Sequence, residues 1–271
     1  MNIIGQRVLL ADLAQTVQTG FPVFTIIVGY RGGGKKIIAR YVGELLKGTV
    51  VECGVTVADV RTVIENSYKT KARMVYIFPD ADKMSSEAKS ALLKVTEEPP
   101  NNSYFIMTIE SPASVPATIL SRAAVCHLNP YTQKELKQYA QEIGVPVIVT
   151  EFCDTPGDIQ IYKTTDVQQF LDYVELVFNN IDQVGTANSL KIGDRIALKE
   201  NAQGYDLKLF WKAFVRMCMQ EAEKVFPDEQ AFRCAAGASI TSKYLAELSV
   251  RGVNKNMLFL DWVLQLRKEW S

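Results

Sequence analysis

VFTIIVGYRGGGKKIIARYVGELLK, residues 23–47, is the stretch on which the fold turns. Val23–Val28 is a short apolar, β-branched run, and Lys36–Lys47 carries Ile38, Val42 and Leu45 or Leu46 at helical spacing. Between them GYRGGGKK, residues 29–36, matches the phosphate-loop pattern G-x-x-x-x-G-K-[ST] at Gly29, Gly34 and Lys35, with Arg31, Gly32 and Gly33 in its variable centre. Strand, glycine loop, helix is the order the chemistry needs, because backbone N–H groups and a helix N-terminus favour anions. In a working loop the Lys reaches the outer phosphates and a Ser or Thr hydroxyl ligates Mg²⁺. Lys36 stands where that hydroxyl belongs, and an ammonium cannot ligate a cation. The loop therefore argues for a P-loop fold and gives only weak support for hydrolysis; the other reading is a glycine-rich turn that holds no nucleotide.

Outward from the loop, residues 1–130 alternate strand-like and helix-like segments, the pattern of an α/β domain with a largely parallel sheet. Helices are expected over Val8–Thr19 and over VADVRTVIENSY, with Val57, Val60 and Ile64 on one face. SSEAKSALLKVTEE is expected as one helix, capped by Ser85 or Ser86 and stopped by Pro99 and Pro100. Strands are expected at Val50–Val55, Ala72–Phe78, Ser103–Ile109 and Ala123–Leu128. Beyond Tyr131 the pattern is mainly helical, although Val145–Phe152 reads locally as β. Amphipathic helices are expected at Leu207–Val225, Ser242–Val250 and Lys255–Trp270.

The 271 residues, 48% of them hydrophobic, suffice for about two domains. Thirty basic and thirty acidic residues cancel, so no global field holds a nucleic acid or membrane surface. Local phosphate contact by Lys89, Lys94, Lys69, Lys71 and Arg73 is one reading, and a solvated face is the other. The five cysteines, Cys53, Cys126, Cys153, Cys218 and Cys234, form no C-x-x-C pair, which argues against a zinc knuckle or disulfide framework. His127 is the only histidine, read as a strand-end residue, so a His-based metal site or triad lacks raw material. No signal-peptide layout or apolar run of membrane-spanning length occurs, and a cytoplasmic protein is expected.

After the strand Ala72–Phe78 comes PDADKMS, where an NTPase sets one Asp to orient Mg²⁺ and an adjacent Glu to polarise water. Counted back from ALLK, Pro79 falls at the Asp position and Asp80 at the Glu position. With the register moved by one, Asp80 is the metal ligand and Ala81 replaces the base. Either way one carboxylate of the pair is missing.

The run DADKMSSEAKSALLKVTEEPPNNSYFIMTIESPASVPATILSR, residues 80–122, resembles the AAA+ module of bacterial sliding-clamp loaders, which carry ALLK-x-x-EEPP, a strand and then P-x-T-I-L-S-R-C. IIGQ (Ile3–Gln6) resembles that family's adenine-side motif. KENAQGYDLKLFWKAF and RGVNKNMLFLDWVLQL resemble its helical collar. The implied organisation is an α/β P-loop AAA+ domain over residues 1–130, a mainly helical lid over 131–185 and a helical, oligomerising collar over 186–271. Within the family the chain is most similar to the delta-prime type of DNA polymerase III, a stator whose own phosphate loop and acidic pair are degraded; Lys36 and Pro79 are the matching departures here.

The resemblance implies that Ser121 and Arg122 match the S-R-C motif, with Ala123 replacing the Cys, and that Arg122 is an arginine finger offered to ATP on a neighbouring subunit. Such a guanidinium is worth on the order of 10³ to 10⁵ in rate; the other reading of Arg122 is a helix-end arginine that caps carbonyls or pairs with a carboxylate. Thr108, or else Ile109, falls at the γ-phosphate sensor, and Asp158 or Ile159 stands where a lid arginine is expected. No cofactor is required on this reading, with weak Mg²⁺-independent binding of ATP, ADP or phosphate, or none. The implied partners are gamma/tau-like ATPase subunits and a delta-like subunit through the C-terminal helices, the sliding clamp, and primer–template DNA indirectly, with no membrane. The alternatives are an active clamp-loader ATPase using Lys35 and Asp80, and an adaptor that has lost every nucleotide role.

Overall fold

The computed structural model describes residues 3–181, 206–248 and 253–270. The chain divides into two compact units, residues 1–135 with 155–157, and residues 136–154 with 158–271.

The first unit is built in chain order from α1 (Arg7–Thr19), β1 (Phe24–Val28), α2 (Lys35–Leu45), β2 (Thr49–Glu52), α3 (Val57–Lys69), β3 (Met74–Phe78), α4 (Ser86–Ala91), α5 (Leu93–Glu97), β4 (Ser103–Ile109), α6 (Ala117–Leu120) and β5 (Ala124–His127). The strands form one parallel sheet in the order β2-β3-β4-β1-β5. Every residue of β1 is buried, because helices cover both faces. Phe24, Ile26 and Val28 pack with Val60 and Ile64 of α3, Val95 of α5 and Ile119 of α6. Ile27 packs on the other face with Leu13 of α1 and Ile38 and Val42 of α2. Full burial of such side chains is worth about 1.5–3 kcal/mol each, which fixes the three-layer arrangement. Parallel strands end on a common edge, so the segments after β1, β3 and β4 converge there.

Three local differences from expectation have clear causes. The strand expected at Val50–Val55 stops at Glu52, because Thr56 and Asp59 form a reciprocal capping box that opens α3. The single helix expected after Ser85, which does cap it, splits at Leu92. There the N–H groups of Leu92 and Val95 donate three residues back, to Lys89 and Leu92, tightening the turn while both side chains stay buried. Val145–Phe152 is not a strand: Val147–Glu151 is a 3₁₀ helix. Val149 and Phe152 each donate to the carbonyl three residues earlier, so this segment satisfies its backbone locally and needs no strand partner.

α7 (Gln133–Glu142) leads into the second unit, which continues with α8 (Pro156–Ile161), α9 (Val167–Asn180), α10 (Leu207–Val225), α11 (Glu229–Glu247) and α12 (Lys255–Trp270). Its core is aromatic: Phe210, Trp211, Phe214, Phe259 and Trp262 are fully buried, and the Trp262 indole donates to Thr241 Oγ1 at 2.9 Å. Lys208, Lys212 and Arg216, one helical turn apart on α10, pair with Asp158, Asp154 and Glu151. α11 begins well before the Ser242 expected for it, because its first half, EQAFRCAAGAS, is rich in small residues and shows only a weak apolar stripe. The expected boundary at 185/186, the start of KENAQGYDLKLFWKAF, and Val250 through Gly252 lie outside the described residues. No described helix is long and apolar enough to cross a membrane.

Candidate nucleotide site and arginine finger

β1 delivers Gly29 to the convergent edge, where its N–H donates to the Ile109 carbonyl at 3.1 Å. Gly34 caps α2 in the left-handed region, φ 86°, which only glycine enters without strain. Lys35 opens the helix and is 7% exposed. Its ammonium donates to the carbonyls of Gly29 at 2.7 Å and Tyr30 at 3.1 Å. Burial pulls its pKa below the ordinary lysine value, against an opposing pull from Glu110, Asp80 and Asp82.

Other loop carbonyls are also engaged. Tyr131 OH donates to Gly33 O at 2.9 Å, and Gly157 N–H to Gly32 O at 3.0 Å. A Cβ at Gly157 would stand 2.4 Å from Gly32 Cα, so this approach requires glycine. Gln6, in the segment that resembles an adenine-side motif, is buried and bonds both ways to the Asn129 backbone, at 2.7 and 2.9 Å. Arg31 is exposed.

Lys36 is committed elsewhere. Its ammonium lies 2.6 Å from the Glu52 carboxylate, which also accepts from Arg40 Nε at 2.7 Å. Glu52 ends β2, the edge strand three places from β1. The Lys36 hydrogen bond foremost, and then Arg40, hold the Glu52 carboxyl below its usual range. The residues present do not fit Mg²⁺: the ligand position offers an ion-paired ammonium instead of a hydroxyl.

Pro79 follows β3 directly, and Asp80 takes a left-handed conformation, φ 51°. The Asp80 carboxylate pairs with Lys83 at 3.2 Å, and its N–H donates to Thr108 Oγ1 at 3.1 Å. Thr108, the sensor candidate, is thereby brought against the acidic turn. Asp82 accepts the Glu110 N–H at 2.9 Å. Sequence reading passed over Asp82, Glu110, Tyr131 and Gly157. Glu110 was accessible to it, since it follows a strand that ends at the convergent edge; the contacts of Tyr131 and Gly157 carry no sequence signal.

Ser121 and Arg122 follow α6, just ahead of β5. Ser121 Oγ donates to Thr118 O at 3.2 Å. Arg122 Nη1 donates to Thr118 O at 2.9 Å, and Nη2 lies 3.5 Å from the Glu97 carboxylate; the two side chains are 42% and 58% exposed. The level partners Thr25 and Ala124 set Arg122 beside the start of β1 and Gly29 beyond its end. About 15–20 Å of sheet separates them.

In the second unit Asp158 accepts from Asp154 N–H at 3.1 Å and pairs with Lys208, and Ile159 is fully buried. Lys89 is corrected: at 7% exposure it is on no solvated face, and its ammonium donates to Ser114 O at 2.6 Å. Lys94 lies 5.6 Å from the Tyr68 ring centre, and Arg73 donates to Leu46 O at 2.9 Å. The five cysteines are free thiols, and burial pushes Cys53 up to about 12. Among the described residues no group of three or more His, Cys, Asp or Glu is arranged to hold a metal.

Comparison with known proteins bears on this geometry. A family described as "DNA polymerase III, delta subunit" matches residues 54–132. The tau subunit of DNA polymerase III from Escherichia coli (strain K12) is 27% identical over 174 residues, covering 52% of this chain and 27% of tau. The delta′ subunit from Yersinia pestis is 37% identical over 73 residues, 26% of this chain and 21% of that one. The chain thus spans about a quarter of the length of these relatives. Among solved structures, a gamma subunit-related protein of DNA polymerase III from Thermotoga maritima superposes with a TM-score of 0.54 at 14% identity, over 97% of this chain and 99% of that one. The RuvB Holliday junction branch migration motor of the same organism gives 0.53 at 15% identity, over 97% and 88%. At such identities these likenesses establish the fold alone.

Proposed function

The chain resembles the AAA+ subunits of the DNA polymerase III clamp loader, delta-prime among them, and from that premise we propose that it is a non-hydrolysing, stator-like subunit of a clamp loader in DNA replication. It lends Arg122 to ATP bound by a neighbouring subunit and requires no nucleotide of its own. The observation that carries the reading is the distance between Arg122 and its own phosphate loop. Across about 15–20 Å of sheet, an arginine side chain cannot reach Lys35, so any phosphate it serves belongs to another chain. A guanidinium delivered in trans stabilises the charge spreading over the transferring phosphoryl group.

Two features of the loop support the missing cis activity. Lys36 is held by Glu52 where a metal-ligating hydroxyl is needed. Pro79 stands where one carboxylate of the pair is needed, and Asp80 is turned into a left-handed corner and paired with Lys83. Lys35 and the loop N–H groups remain capable of meeting a phosphate, so the ligand expected at this site, if any binds, is an ATP, ADP or phosphate held weakly and without Mg²⁺. Association runs through the C-terminal helices, with ATPase-type and delta-like subunits as neighbours, the sliding clamp as the loaded ring and primer–template DNA contacted indirectly.

Titrating ATP into the purified chain, with and without Mg²⁺, tests the reading. Weak binding indifferent to the metal, or none, is expected, with no turnover. The tau likeness over 174 residues favours a second reading, an active ATPase using Lys35 and Asp80. Tight, metal-dependent binding with hydrolysis by the chain alone would establish that reading instead.

A further inference from the structure

An exposed guanidinium that must meet a phosphate on another chain already holds a contact that the phosphate has to replace, and the geometry points to Glu97 as the parking carboxylate of Arg122: a ground-state competitor that occupies the finger until a γ-phosphoryl group displaces it. The inference rests on the finger reading of Arg122.

Both members of the pair stand on a shared scaffold. Glu97 is the last residue of α5 and Arg122 lies two residues beyond α6, while Val95 and Ile119, from the same two helices, are fully buried in one core. The backbone beside Glu97 is pinned by Tyr68 OH, which donates to Glu98 O at 2.6 Å, and helix continuation is stopped by Pro99 and Pro100. The guanidinium is gripped unevenly. Its Nη1 edge holds the Thr118 carbonyl at 2.9 Å, whereas Nη2 faces Glu97 at 3.5 Å. The backbone bond sets the direction of the side chain, and the carboxylate occupies the face left for an anion.

Magnitudes make the exchange feasible. An exposed pair such as this one biases an equilibrium by about fivefold at most. A finger on a transferring phosphoryl group changes the rate by on the order of 10³ or more. Glu97 thus competes with phosphate only weakly, enough to keep Arg122 from other carboxylates and too little to retain it. Charge-assisted bonds to phosphate are shorter and stronger than a 3.5 Å contact with an exposed carboxylate.

The test uses the assembled loader, with Glu97→Gln and Arg122→Ala compared by ATP hydrolysis, reading kcat and KM separately. Glu97→Gln should raise kcat/KM by about two- to fivefold, because the finger loses its ground-state competitor. The advantage over wild type should shrink as salt rises from about 50 to 200 mM, since salt screens the parked pair. Thermal melting should be unchanged, which separates parking from folding. Unchanged or lowered kcat/KM in Glu97→Gln, with Arg122→Ala strongly impaired, overturns the parking role and leaves the finger standing. An Arg122→Ala loader that hydrolyses ATP normally removes the finger reading, and the parking role with it.

Discussion

The two edges of the parallel sheet treat their cations in opposite ways. At the edge where β1 ends, Lys35 is buried with its ammonium on two loop carbonyls, Lys36 is 2.6 Å from Glu52, and Lys83 is on Asp80. At the edge where β5 begins, Arg122 is exposed, with a backbone carbonyl on one side and a longer contact to Glu97 on the other. The loop carbonyls of Gly29, Tyr30, Gly32 and Gly33 are engaged within the chain, while Arg122 stands exposed at the far end. On the proposed reading, the end of the sheet that carries the P-loop sequence is not the end that serves ATP.

The sharpest way to break this comparison is to remove Arg122 from the assembled complex. Arg122→Ala should lower turnover at the adjoining ATPase subunit by on the order of 10³, about 4 kcal/mol of transition-state stabilisation, in single-turnover hydrolysis. The isolated chain should melt as before, because the side chain contributes one backbone bond and one exposed ion pair. A complex that hydrolyses ATP at the wild-type rate would make the two edges equally idle.

Next in size is the seat of Gly157 on the loop. Gly157→Val places a Cβ 2.4 Å from Gly32 Cα, a backbone atom that cannot rotate aside. Overpacking of this kind costs about 1–3 kcal/mol, and the lost bond to Gly32 O adds to it. Urea denaturation should show a lower midpoint at unchanged slope. A variant as stable as wild type would mean that Gly157 does not close the loop, and the contrast between a sealed edge and an open one would weaken.

The sheet was legible because its signal is dense: β1 is a β-branched run, apolar but for Thr25, and the glycines and Lys35 follow at a fixed spacing. The finger reading of Arg122 rests on resemblance alone, since nothing in the pattern around it distinguishes it from any exposed arginine. What sequence could not supply were long-range partners. Glu52 is sixteen residues from Lys36, Thr108 is twenty-eight from Asp80, and Gly157 is 125 from Gly32. None of these pairs leaves a trace in local composition. Lys89 shows the converse error, for its lysine identity suggested solvent while the fold uses it to hold the Ser114 carbonyl. The 3₁₀ helix at Val147–Glu151 was misread because β-branched composition reports a strand only where a neighbouring strand exists to pair with it.

The smallest expected effect is also the most discriminating. Lys36→Thr restores the hydroxyl of a complete phosphate-loop signature and releases Glu52 to Arg40 alone. If the loop were one atom short of activity, this change would create an ATPase. Two further obstacles argue that it will not. Pro79 follows β3 where a carboxylate is needed, and Asp80 is held in its left-handed corner by Thr108 and Lys83. A hydroxyl without an oriented acidic partner supplies one metal ligand where several are required. Phosphate release by Lys36→Thr should stay at the background of the wild-type chain, with stability altered by less than about 1 kcal/mol because the lost pair is exposed. Measurable turnover from this single substitution would show that Asp80 suffices for the metal, and that the edge read here as sealed is an ATPase site closed by one lysine.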